Sequence, residues 1–133
     1  MPAGKCTIAI VEDDASFRRA LERLLRASGF EAHPFGSAED FLASTAPEAH
    51  ACLILDLHLP GMSGSELLDR LSAGAPSQPT VFITAHHDDR LRERASGRPH
   101  SLYLRKPFDG AVLLEAVRSL LRRSGSSTGS RGA

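Results

Sequence analysis

Residues 52–64 read CLILDLHLPGMSG. Positions 52–55 are apolar in succession, so this strand cannot have one wet face and one dry face. Such a strand must be covered on both faces, as in a parallel sheet packed between helices. The run ends on Asp56. The turn-rich stretch that follows carries Ser63, placed to cap a helix over 65–73. TVFIT (80–84) repeats the pattern, an apolar strand with a polar end at Thr84.

The same reading extends in both directions. CTIAIV (6–11) is a first strand, and residues 16–28 set Phe17, Leu21, Leu24 and Leu25 on one helical face before Gly29 stops the helix. FEAHPF (30–35) is a short strand whose Pro34 marks a sheet edge. Ser37 caps a helix to about 44, with Asp40 three residues on. Residues 87–96 form a weak, charged helix in which Leu91 is the single large apolar residue. SLYL (101–104) is a fifth strand. Helix 109–123 turns Val112, Leu113, Ala116, Val117, Leu120 and Leu121 inward, and residues 124–133 read as a flexible Ser/Gly-rich tail. Five strands alternating with five helices over residues 1–123 predict one α/β domain, a doubly wound parallel sheet. Ligands of such sheets sit at the carboxyl ends of the strands. The polar residues at those ends are Glu12, Asp13, Asp56, Thr84 and Lys106.

Composition narrows the function. The chain has 133 residues, 41% hydrophobic and 24% charged, which suits an ordinary soluble core. No apolar run approaches the roughly 18–20 residues of a membrane span, and the N-terminus lacks signal architecture, so a cytoplasmic protein is expected. Cys6 and Cys52 lie in apolar runs outside any metal-binding spacing and are read as buried free thiols. Their placement on adjacent strands, offset by about three residues and so roughly 10 Å, is too wide for a disulfide. Net charge is zero, yet residues 1–89 carry −7 and residues 90–133 carry +7. This asymmetry suits solvated arginine-bearing helices or a polar partner surface; direct nucleic-acid binding is not expected.

VEDD (11–14) places three carboxylates at a strand end. Two carboxylates about 4 Å apart repel by roughly 4 kcal/mol at an effective dielectric near 20. A hard cation offsets that repulsion, and Mg²⁺ takes one or two carboxylates and keeps several waters. A carboxylate can also attack phosphorus and become an aspartyl-phosphate. A Thr84 hydroxyl and a Lys106 ammonium would serve the phosphoryl oxygens.

VEDD, LILDLHLPGMSG, VFIT and LYLRKPF, in this order and spacing, resemble the receiver domain of two-component response regulators, from about Thr7 to Arg122. The resemblance implies a flavodoxin-like (βα)5 fold with strand order 2-1-3-4-5. It implies that Asp56 accepts the phosphoryl group, that Asp13 binds Mg²⁺ directly and Glu12 through water, and that the His58 backbone carbonyl completes the protein ligands. Thr84 and Tyr103 become the switch residues, Lys106 the phosphate-binding lysine, and Lys106–Pro107 a cis peptide. Asp14 has no such role and is read as a helix cap. The implied partner is a histidine kinase or phosphotransfer protein. Downstream stands a partner protein or an absent output domain, since GFEAHPFGSAEDFL resembles receivers joined to DNA-binding outputs. A second copy of the chain is a further implied partner, through the face of the fourth helix, fifth strand and fifth helix that many receivers use to dimerise.

Two features depart from the family pattern. Small residues common before the lysine are replaced by Arg98, Pro99 and His100. Proline cannot supply a positive φ, so a short, frayed or shifted fourth helix is expected, mobile without phosphate. His58 and His86 each lie two residues beyond a site residue, at positions that influence hydrolysis in the family, and imidazole titration there would make dephosphorylation pH-dependent between about 5.5 and 7.5. His33, His50, His87 and His100 are read as surface residues. Two other functions fit the same acids. One is a Mg²⁺-dependent phosphohydrolase using an aspartyl-phosphate, for which His58 stands where a second aspartate is wanted. The other is a receiver-fold interaction module indifferent to phosphorylation.

Overall fold

A computed structural model describes residues 6–132, with side chains through Arg123. Five parallel strands form one sheet in the order β2-β1-β3-β4-β5. They are β1 (Thr7–Val11), β2 (Glu31–Phe35), β3 (Cys52–Asp56), β4 (Thr80–Thr84) and β5 (Ser101–Arg105). The helices are α1 (Ala15–Ala27), α2 (Ala38–Ser44), α3 (Gly64–Gly74), α4 (Asp89–Ser96) and α5 (Gly110–Gly132). Both β3 and β4 are buried at every position, as their unbroken apolar runs require. β2 holds the edge, where Pro34 withholds no ladder donor that matters.

The two-residue period of the strands divides the core into two layers. Ile8, Ile10, Ile54 and Ile83 face Leu21 and Leu25 of α1 and Leu113 and Val117 of α5. Val11, Leu53, Leu55 and Phe82 face Phe41 of α2, Leu67 and Leu71 of α3 and Leu91 of α4. Helix starts follow the sequence: Asp14, Ser37, Ser63 and Asp88 each accept a first-turn N–H, and Ser63 with Glu66 completes a capping box.

Helix α4 is short, as its composition suggests. It buries Leu91 and Ala95, whereas α5 buries Leu113, Ala116, Val117 and Leu120. A fully buried Leu or Val side chain contributes about 1.5–3 kcal/mol, so α4 is held far less firmly. The segment before β5 uses its unusual residues directly. Arg98 is buried, donates to the Ala75 and Pro76 carbonyls and to Ser101 Oγ, and lies 5.6 Å from the centre of the Phe82 ring. The left-handed residue is His100, at φ 57°, a region histidine enters more readily than most side chains.

Several expectations are corrected. Val112 is exposed, because it sits one residue off the Leu113–Ala116–Val117–Leu120 stripe. Cys6 is exposed and precedes β1. Cys52 pairs in register with Ile8, so the cysteines are offset by two positions, and both thiols are free. Burial pushes the Cys52 thiol up to about 12, leaving it unreactive. His50 is buried among His33, Phe35 and Phe41, folded under the sheet edge by a short 3-10 helix (Pro47–Ala49). The Ser/Gly-rich tail expected at 124–133 lies outside the residues whose side chains are described.

Candidate functional site

The carboxyl ends of β1, β3, β4 and β5 bring the predicted residues to one edge of the sheet. Glu12 and Asp13 follow β1, Asp56 and Thr84 terminate β3 and β4, and Lys106 follows β5. Glu12, Asp56 and Thr84 are buried, whereas Asp13 is exposed. Lys106 Nζ lies 2.8 Å from Glu12 Oε1 and 3.1 Å from Asp56 Oδ2. The other Asp56 oxygen accepts the His58 backbone N–H at 2.8 Å. Lys106–Pro107 is cis, and the Lys106 N–H donates to the Thr84 carbonyl.

Burial and charge act in opposite directions here. Burial raises the Glu12 carboxyl above its ordinary range, and its hydrogen bond with Lys106 offsets only part of that. Burial pushes the Lys106 ammonium down, but hydrogen bonds to Glu12 and Asp56 and their negative charge carry it above its ordinary value. The outcomes differ because Glu12 has lost nearly all solvent, with 1% of its side chain exposed, while Lys106 keeps 21% and faces two carboxylates.

Carboxylate oxygens of Glu12, Asp13 and Asp56 lie within 4.8 Å of one another. An all-oxygen donor set with one exposed member fits a hard cation that retains waters. Sequence reasoning missed two supports of this nest. The Phe17 ring lies 4.6 Å from Lys106 Nζ, a cation–π contact worth about 0.5–2 kcal/mol; the sequence marked Phe17 only as helix core. Arg18 Nη1 donates to the Glu12 carbonyl at 2.8 Å and left no sequence signal, since its acceptor is backbone. Asp14 does cap α1, and its own N–H donates to Glu12 Oε2.

Thr84 Oγ1 lies 2.6 Å from His58 Nδ1 and accepts the His86 N–H at 3.0 Å. The His58 and His86 rings lie against each other, centroids 4.1 Å apart and planes tilted by 34°. The sequence placed both histidines beside the site but not against the Thr84 hydroxyl. Tyr103 pairs in register with Phe82, two steps from the Thr84–Arg105 pair, and packs on the α2–α3–α4 core layer. It lines a groove of about 320 Å³ with His87, Asp88, Asp89, Arg92 and Arg105. Gly64 permits the close passage of the β3–α3 loop: a Cβ there would lie 2.5 Å from the Leu57 carbonyl oxygen.

The model of the response regulator receiver domain matches residues 8–118. The chain belongs to the response regulator receiver family. It is 42% identical over 113 residues to nodulation protein W of Bradyrhizobium diazoefficiens, covering 85% of this chain and 50% of that protein. It is 35% identical over 117 residues to the transcriptional regulatory protein FixJ of Azorhizobium caulinodans, covering 88% and 56%. The receiver also superposes on the response regulator StyR with a TM-score of 0.78 at 39% identity, covering 97% of this chain and 65% of that one. The chain thus spans about half the length of these curated relatives. Among the described residues no helix is long and apolar enough to cross a membrane.

Proposed function

We propose that this receiver is a phospho-acceptor switch in which Asp56 takes a phosphoryl group from the histidine of a kinase or phosphotransfer protein. The observation that carries the reading is the position of Asp56: a buried carboxylate with Oδ2 3.1 Å from the Lys106 ammonium, beside two further acids and a buried threonine hydroxyl. An Asp56 oxygen attacks phosphorus, the P–N bond of the donor breaks, and its electron pair stays on the imidazole nitrogen. Lys106 is in place to neutralise one phosphoryl oxygen and Thr84 to donate to another. Glu12, Asp13, Asp56 and the His58 carbonyl are the proposed holders of Mg²⁺, which would supply charge neutralisation on the transferring group.

The chain is proposed as a switch rather than a turnover enzyme, acting in the cytoplasm. Phosphorylation moves Thr84 and Tyr103 and alters the surface around α4, β5 and α5, which a target protein or an attached output domain reads. FixJ is named a transcriptional regulator, which supports a transcriptional output. His58 and His86 are proposed to modulate hydrolysis of the aspartyl-phosphate. The deciding experiment is intact-protein mass after incubation with acetyl phosphate and Mg²⁺. One added phosphoryl group, absent from Asp56→Asn, is expected. No adduct, or steady consumption of acetyl phosphate without one, would overturn the reading.

A further inference from the structure

The Thr84 hydroxyl is engaged before any phosphoryl group arrives. A hydroxyl has one proton and two lone pairs. The His86 backbone N–H takes one lone pair at 3.0 Å, and His58 Nδ1 lies 2.6 Å from the same oxygen, where the Nε2–H tautomer of His58 accepts the hydroxyl proton. The His86 ring lies beside the His58 ring, its centroid 4.1 Å away and its plane tilted by 34°. Beside them opens a cavity of about 580 Å³ lined by His58, His86, Leu57, Leu91 and Asp88, roomy enough for an imidazole.

We propose that the His58 side chain is a latch on the Thr84 hydroxyl, which must release into the neighbouring cavity before Thr84 can donate to a phosphoryl oxygen on Asp56. The proposal rests on the phospho-acceptor reading above. One proton cannot serve Nδ1 and a phosphoryl oxygen together, so latch and phosphoryl contact exclude one another. His58 is a positioning residue in this scheme, acting on phosphoryl binding through Thr84. Asp88, on the lining of the same cavity, caps α4 by accepting the Leu91 N–H at 3.1 Å.

The test uses beryllofluoride with Mg²⁺ as a phosphoryl stand-in. Binding is followed by fluorine NMR and by the fluorescence of Tyr103, the single tyrosine in a chain without tryptophan. His58→Ala removes the acceptor. His58→Asn restores one, because its amide oxygen is attached to Cγ as Nδ1 is. A net hydrogen bond of ordinary strength gives His58→Ala about threefold to tenfold tighter binding, with His58→Asn within about twofold of wild type. Equal or weaker binding by His58→Ala, with wild type binding normally, overturns the latch and leaves the proposed function standing. Failure of wild type to bind counts against the proposed function instead. The latch is then decided by nitrogen NMR of the unliganded protein near about pH 8, where imidazole is neutral. Nε2 protonated with Nδ1 accepting supports it; an Nδ1–H tautomer or a freely averaging ring overturns it.

Discussion

Lys106 and Glu12 form an ion pair across 94 residues of chain, Nζ to Oε1 at 2.8 Å, and it ties the exit of β5 to the loop after β1. The acid is the more deeply buried partner, so losing the lysine strands a carboxylate that cannot recover its hydration. Lys106→Met is expected to destabilise the metal-free protein at neutral pH by about 1–3 kcal/mol, measured by urea titration. A folded-state pKa raised above the ordinary 10.5 means the lysine's contribution is fully present below 10.5 and is lost as pH rises through the raised value. Wild-type stability should therefore fall in that alkaline window, and the Lys106→Met variant should show less of the fall.

A cation among Glu12, Asp13 and Asp56 should stabilise the fold by mass action. At a Mg²⁺ concentration ten times its Kd the gain is about 1.4 kcal/mol, visible as a rise in Tm. Asp13→Asn removes the exposed carboxylate of the set and should abolish most of that rise without unfolding the protein. A wild-type Tm indifferent to Mg²⁺ would exclude a metal site at these acids.

Arg98 fastens the end of α4 to the α3–β4 loop through the Ala75 and Pro76 carbonyls and to the start of β5 through Ser101. Arg98→Ala should cost about 2–4 kcal/mol, the sum of these bonds at about 1 kcal/mol each and the lost packing on Phe82. Arg98→Lys should not restore it, since a point charge cannot span acceptors reached by a planar fork. Hydrogen exchange gives the local readout. Amides of 89–96 should exchange faster than those of 113–120 in wild type, given the two buried side chains of α4, and faster still in Arg98→Ala. Equal strong protection of both helices would contradict this ranking.

His50 makes stability depend on pH in the acid direction. Its ring is buried with Nδ1 unpartnered. Burial, reinforced by the neighbouring His33, lowers its pKa below 6.5. The unfolded chain then binds the extra proton, so stability is lost as pH falls from about 6.5 toward the lowered value. His58 is lowered too, chiefly by burial, and adds to the same slope. His50→Phe, which keeps the aromatic packing against Phe35 and Phe41, should flatten the slope in part. A slope left unchanged by His50→Phe in thermal denaturation between about pH 7 and 5 would show that His50 binds its proton alike in the folded and unfolded chain.

The sequence by itself determined the strand-and-helix order, the double coverage of β3 and β4, the helix caps at Asp14, Ser37 and Ser63, and the residues that meet at the sheet edge. These are legible because they rest on periodicity and local hydrogen bonding, which act within a few residues, and because the carboxyl ends of parallel strands all gather at one edge of the sheet. Tertiary structure alone decided what side chains far apart in sequence do to each other. Nothing near His58 announces that its ring meets a hydroxyl 26 residues on. Nothing near Arg98 announces carbonyls 22 and 23 residues back. His50 looked like a surface residue until a single turn of 3-10 helix folded it beneath the edge strand. Backbone pattern follows from local chemistry, whereas such contacts depend on packing that only the assembled layers impose.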